Sequence, residues 1–174
     1  MPRLLLKRFY AILILILLAA NVCVYQTIFE PHLLQISVLD VGPPAGGGSS
    51  VLIRTPNNKT ILVDAVPDAS ILRAIGTSLP EWQKNIDEIL LTSAKSNFTG
   101  GLPEVLNKYH APAPLSFGTS DFPYGSQISL DAVSIKIISP DVLTISFVNT
   151  SLSISSSTPK GVYTSDGKTI TELK

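Results

Sequence analysis

The hydrophobic pattern divides the chain into one unbroken apolar run and a longer stretch of short, alternating segments. The run, Phe9 to Phe29 (FYAILILILLAANVCVYQTIF), contains no charged residue. As a helix rising about 1.5 Å per residue it would extend roughly 31 Å, close to the roughly 30 Å of a bilayer core. Arg3, Lys7 and Arg8 precede it and Glu30 follows it. The positive-inside rule then predicts a basic cytoplasmic N-terminus over 1–8, a transmembrane signal anchor over 9–29, and everything beyond Glu30 outside the cell membrane, which makes a single-pass protein. The rival reading is a cleaved signal peptide with its hydrophobic region at Phe9–Ala20 and Leu18-Ala19-Ala20 as the cleavage site. The apolar stretch continues well past Ala20, which favours retention. Asn21-Val22 before Cys23 makes a poor lipobox, and Cys23 reads as a small apolar residue in lipid.

After a short linker over 30–33, the remainder, 34–174, reads as one α/β domain. Leu34–Asp40, Val51–Thr55 and Thr60–Asp64 are strands, and Pro56-Asn57-Asn58-Lys59 has hairpin-turn chemistry, so residues 34–64 form an antiparallel meander. Between the first two strands, Val41–Ser50 (VGPPAGGGSS) is a Pro/Gly/Ser loop. Pro67-Asp68 opens a helix with Asp68 as N-cap, Ile71, Leu72 and Ile75 on its apolar face, and Pro80 at its end. Ile86–Thr92 is a buried-type apolar strand. Gly100-Gly101 leads into a helix over Leu102–Tyr109, with Pro103 in its first turn and Leu102, Val105 and Leu106 facing inward. Beyond Pro112 and Pro114 the pattern is all strand. Gln127–Ser139 alternates around a turn at Asp131-Ala132, and Thr144–Val148, Leu152–Ser155 and Gly161–Thr164 follow. This order fits an α/β sandwich with helices outside packed sheets.

Composition adds two constraints. Charged residues are only 15% of the 174, consistent with concentration of apolar residues in the N-terminal run. The whole chain is neutral, with thirteen basic and thirteen acidic residues. Setting aside Arg3, Lys7 and Arg8 leaves ten basic residues against thirteen acidic ones, so the part outside carries about −3. With no Lys/Arg cluster there, direct nucleic-acid binding by this chain is not expected. Cys23 is the only cysteine, which excludes a disulfide within the chain. Asn58, Asn97 and Asn149 begin glycosylation sequons that read as chance.

The segments LQISVLDVG, VLIRTPNNKTILVD and ILRAIGTSLPEWQKNIDEILLTSAKSNFTGGLPEVLNKY resemble, in consistent order, the metallo-β-lactamase-like domain of ComEC-type competence (DNA-uptake) proteins. GSQISLDAVSIKIISP and FVNTSLSI look like that family's later strands, and GVYTSDG is similar to its strand ending in Thr-Gly-Asp. The resemblance covers about residues 34–167 and implies a metallo-β-lactamase-like αββα sandwich, truncated at its C-terminus. In active relatives the motif H-x-H-x-D-H holds zinc or manganese, which polarises water into a hydroxide nucleophile. The corresponding positions here read Ser93, Lys95, Asn97 and Phe98. A hydroxyl, an ammonium, an amide and a phenyl ring cannot replace them, and second-shell contacts cannot rescue four such losses.

The resemblance implies other departures. Gly42-Pro43-Pro44 stands where the family has Gly-x-Gly-Asp, and Asp64-Ala65-Val66 where it has Asp-Gly-Gly. The chain ends soon after Asp166, before the family's later histidine segment. His32 and His110 fall at no motif position and read as surface residues. By the same resemblance Asp166 is the surviving metal-bridging carboxylate, and Asp64 survives at its strand end. Two readings of this vestigial pocket stand side by side. Either carboxylate caps a turn, or Lys95 places its ammonium in the vacated position and pairs with Asp166 or Asp64.

The expectation is a membrane-anchored, non-catalytic interaction or structural protein without a cofactor. Its expected neighbours are the membrane and a membrane competence or DNA-translocation protein. A metal-dependent hydrolase acting on phosphoesters or nucleic acid, and a decayed, truncated gene product, are the alternatives.

Overall fold

A computed structural model of the chain describes residues 8, 10, 12–22, 33–41, 49–65, 68–140 and 142–173. It divides into two compact units, Met1–Pro31 and His32–Lys174. In the first, residues 12–22 are helical (α1). The expected ends of the membrane segment, Phe9 and 23–29, lie outside the described residues, as do most of the basic N-terminus, residues 30–32, the loop 42–48 and Pro67. Among the described residues no helix is long and apolar enough to cross a membrane.

The second unit is built on a seven-stranded sheet. Its first three strands are β1 (Leu34–Val38), β2 (Val51–Arg54) and β3 (Thr60–Val63), the antiparallel meander read from the sequence. The β2–β3 turn places Asn58 at a φ of 61°, a conformation asparagine tolerates better than most residues. Strand β4 (Glu88–Leu91) then joins β3 in parallel, and a two-residue β5 (Leu115–Ser116) joins β4, also in parallel. Parallel neighbours need a crossover. Helix α2 (Ser70–Ser78) supplies the first, and α3 (Ser96–Thr99) with α4 (Leu102–Lys108) the second. Asp68 does not cap α2 as the N-cap residue. That position is Ala69, and Asp68 instead accepts the Ser70 N–H at 2.8 Å from one residue further out.

Gly101 starts α4 where no side chain fits. A Cβ there would lie 2.5 Å from the Asp68 carbonyl oxygen and 2.6 Å from Ile71 Cγ2, so only glycine lets α4 pack this closely on α2. Val105 is fully buried on α4, whereas Leu106, expected to face inward, is 41% exposed.

The strand-rich C-terminal half makes a second sheet of β6 (Gln127–Leu130), β7 (Val133–Ser139), β8 (Val142–Phe147) and β9 (Thr150–Ile154), antiparallel throughout. The chain then returns to the first sheet. Strand β10 (Gly161–Ser165) pairs antiparallel with β1, and β11 (Ile170–Leu173) closes that side, giving the order β11-β10-β1-β2-β3-β4-β5.

Alternation along the strands makes three layers. Ile36, Val38, Ile53, Ile61, Val63 and Leu90 project from the first sheet against Val133, Ile135, Ile137, Leu143, Ile145 and Phe147 of the second. Leu52, Leu62, Ile89 and Leu91 project the other way onto Ile71, Ala74 and Ile75 of α2, Phe98 of α3 and Val105 of α4. Burying each such aliphatic side chain contributes about 1.5–3 kcal/mol, so these two seams hold the unit together.

The expected fourth layer is missing. Among the described residues no helix covers the outer face of the second sheet. The reason is in the pattern: that face is Gln127, Ser129, Ser134, Lys136, Thr144, Ser146, Ser151 and Ser153, all exposed or half-buried, with Ile138 a large aliphatic side chain among them. A hydroxyl-rich face needs water rather than a helix. The α/β class stands, but the described arrangement is αββ rather than αββα.

Candidate functional site

Parallel pairing fixes where the candidate residues lie. Because Val63 pairs with Leu90, the C-terminal ends of β3 and β4 meet at one edge of the first sheet, and Asp64 and Thr92 emerge there side by side. Asp64 adopts a φ of 58°, and its own N–H donates to the Leu90 carbonyl at 2.9 Å. The residue is 2% exposed. One carboxylate oxygen accepts the Thr92 N–H and the other the Thr92 hydroxyl, each at 2.7 Å. The same hydroxyl lies 2.6 Å from the Pro140 carbonyl, in the β7–β8 turn of the second sheet. Its single hydrogen is shared between the two acceptors. A buried carboxylate thereby ties together the two parallel strands and, through Thr92, the two sheets.

The motif segment that follows is folded, but not around a centre. Ser93 is buried, and its hydroxyl accepts the Lys95 N–H at 3.3 Å. Asn97 is half-buried on α3. Phe98 is 5% exposed and packs into the helix-side core, while its carbonyl accepts the Ala65 N–H at 2.9 Å. Lys95 is exposed and forms no ion pair with Asp64 or Asp166. The expected charge substitution is therefore absent.

Asp166 is not in this group at all. Strand β10 runs antiparallel to β1, with Val38 opposite Gly161 and Leu34 opposite Ser165. Its C-terminal end therefore lies at the edge of the sheet opposite to Asp64. Asp166 is exposed there and accepts the Lys168 and Thr169 N–H groups, both at 2.8 Å. Those two bonds, Thr169 first, hold its carboxyl below the usual aspartate range. Asp166 caps a turn, one of the two readings given for it, and strand direction places it away from the motif segment rather than in one vestigial pocket with it. His110, at the start of the extended segment after α4, pairs with Asn85 at that same far edge.

Residues singled out by no motif complete the cleft above Asp64. Thr92, Ser49, Pro140, Leu143, Ile154, Ser155 and Ser156 line it with Asp64, Val51 and Phe98. Its volume is about 10 Å³, at the threshold for one water molecule. Thr92 was open to prediction as the residue beside Asp64 in a parallel pair. Pro140 and Ser155 come from sheet-on-sheet packing and leave no local trace.

A divalent transition metal needs several imidazole, thiolate or carboxylate donors converging within about 2.0–2.3 Å of one point. Among the described residues, no three His, Cys, Asp or Glu side chains converge in that way. Both Asp64 oxygens are already engaged by Thr92, and Phe98 fills space with carbon. The donor set present does not fit the metal that the sequence resemblance implies.

No protein-family model matches the chain, and no curated protein sequence matches it. Solved structures do show a similar course of the chain. One is a metallo-β-lactamase of Cronobacter sakazakii, 19% identical, TM-score 0.48, covering 66% of this chain and 54% of its own. Another is a diphosphatase of the PhnP family, 14% identical, TM-score 0.45, covering 68% and 63%. A third is the rubredoxin oxygen:oxidoreductase of Desulfovibrio gigas, 17% identical, TM-score 0.38, covering 68% and 37%. The chain thus spans less than two thirds of the length of each.

Proposed function

We propose that this protein is a membrane-anchored, exported domain of metallo-β-lactamase-like fold that has exchanged metal chemistry for a structural or binding role. In this reading it is a non-catalytic relative of the domain found in DNA-uptake competence proteins. The observation that carries the proposal is the fate of the motif edge. Asp64 is bonded to Thr92, Phe98 is core, Lys95 pairs with neither carboxylate, and the remaining space is about 10 Å³.

The anchor rests on the uncharged run from Phe9 to Phe29 and its basic flank. The described part of that run, α1, is apolar at every position from Ile12 to Ala20, and Asn21 is its one polar residue. The expected neighbour is a membrane competence or DNA-translocation protein, supported by the order of the resembling segments over 34–167. The acidic balance beyond the anchor supports contact with a protein rather than with nucleic acid.

The test is a zinc and manganese titration of the full chain in detergent, followed by isothermal calorimetry and by a phosphodiesterase assay. The reading expects no stoichiometric binding and no turnover. One metal per chain, held tightly and accompanied by hydrolysis, would return the protein to the hydrolases.

A further inference from the structure

Trp82 is 79% exposed, an unusual state for the residue type with the largest apolar surface. It sits on the turn between α2 and β4. The next residue, Gln83, donates its N–H to the Pro80 carbonyl at 3.0 Å and its side-chain amide to the Thr60 hydroxyl at 2.6 Å. Thr60 is the first residue of β3. Trp82 therefore belongs to the sheet edge opposite to Asp64, and its turn is held there. Leu33, 37% exposed, leads into β1 at the same edge. This is the edge by which the chain enters the domain.

We infer that this edge rests on a lipid surface, with Trp82 inserted at the level of the headgroups. The inference depends on the anchor proposed above. An anchor ending at Phe29 leaves only residues 30–33 before β1, a reach of about 14 Å when fully extended. The entry edge is then the part of the domain nearest to the membrane, and tryptophan is the side chain that favours the membrane–water interface most. Ionic attraction is not the cause. Lys59 is paired with Asp87, and Arg54, Lys84 and Lys168 at this edge are matched in number by Glu81, Asp131 and Asp166, so the occupant is a lipid surface as such and not an anionic one.

Trp82 is the only tryptophan in the protein, so its fluorescence reports on this edge without any substitution. The full chain is reconstituted in phosphatidylcholine vesicles with and without brominated acyl chains, and retention after alkaline carbonate extraction is measured in parallel. The expected result is a chain that resists extraction, with an emission shifted to shorter wavelength, quenched by the brominated lipid and shielded from iodide. A retained chain whose emission is quenched by iodide alone overturns the inference and leaves the anchor intact. A blue-shifted emission insensitive to brominated lipid also overturns it, in favour of a protein contact. Loss of the chain on extraction removes the anchor, and this inference with it.

Discussion

Asp64 and Asp166 stand at opposite ends of the first sheet, and the pair behaves in opposite ways. Asp64 is buried at one end, strained at a φ of 58°, and bonded twice to Thr92. Asp166 is exposed at the other end, where its carboxylate accepts two N–H groups of its own turn. Along the sequence both look like survivors of one metal centre. The antiparallel entry of β10 beside β1 sends them to opposite edges. A residue type placed after a strand says nothing about which end of the sheet that strand reaches; pairing direction decides it.

Substitutions sharpen the contrast, beginning at the cleft edge. Phe98→Ala should destabilise the protein most, by about 3–5 kcal/mol, because it removes a buried ring from the helix-side core where the resemblance implies a ligand. Thermal or denaturant melting reads this, and a near-neutral result would mean that Phe98 is not the plug described. Asp64→Ala should cost about 2–4 kcal/mol, since it orphans the buried Thr92 N–H and removes the carboxylate acceptor of the Thr92 hydroxyl, which is left with the Pro140 carbonyl alone. Asp64→Asn keeps an acceptor for the Thr92 N–H and replaces the other with an amide donor facing the Thr92 hydroxyl, so it should recover much of that loss, which separates lost bonding from lost charge.

Asp166→Ala should have the smallest effect, visible chiefly as a change in pH dependence. The folded carboxyl is held below its ordinary range, so the unfolded chain binds the proton more readily. Its contribution is present above the unfolded pKa and is lost as pH falls through the folded one. The variant should therefore lose less stability than the parent on acidification, while differing little from it at the lowest pH. An Asp166→Ala loss as large as that of Asp64→Ala would erase the contrast.

Much of the fold was legible because its signals are local. The meander at 34–64, the turns at Asn58 and Asp131 and the helix start at Gly101 follow from alternation and turn chemistry, and the strands of that meander begin where the alternation places them. The α3 turn was hidden because SNFT offers neither apolar spacing nor a cap, β5 because two residues show no period, and β11 because ITEL does not alternate. The open face of the second sheet was present in the alternation of Ser and Thr with Ile and Val over 127–154. The resemblance implies a helix over that face that the alternation does not call for. At the site, the absence of imidazole and carboxylate donors at Ser93, Lys95, Asn97 and Phe98 was plain in the sequence. The position of Asp166 was not, because it depends on how strands more than a hundred residues apart are paired, with Leu34 opposite Ser165.

The central claim, that these two ends do not converge on one centre, is tested most directly by a distance. In a Cys23→Ala background, spin labels at Ala94→Cys and Asp166→Cys mark an exposed position within the motif segment and one at the far turn. Four strand spacings across the sheet and about five residues along it predict a separation above about 20 Å by pulsed electron resonance. A main population at about 10 Å or less would place Asp166 beside the motif after all and contradict the account.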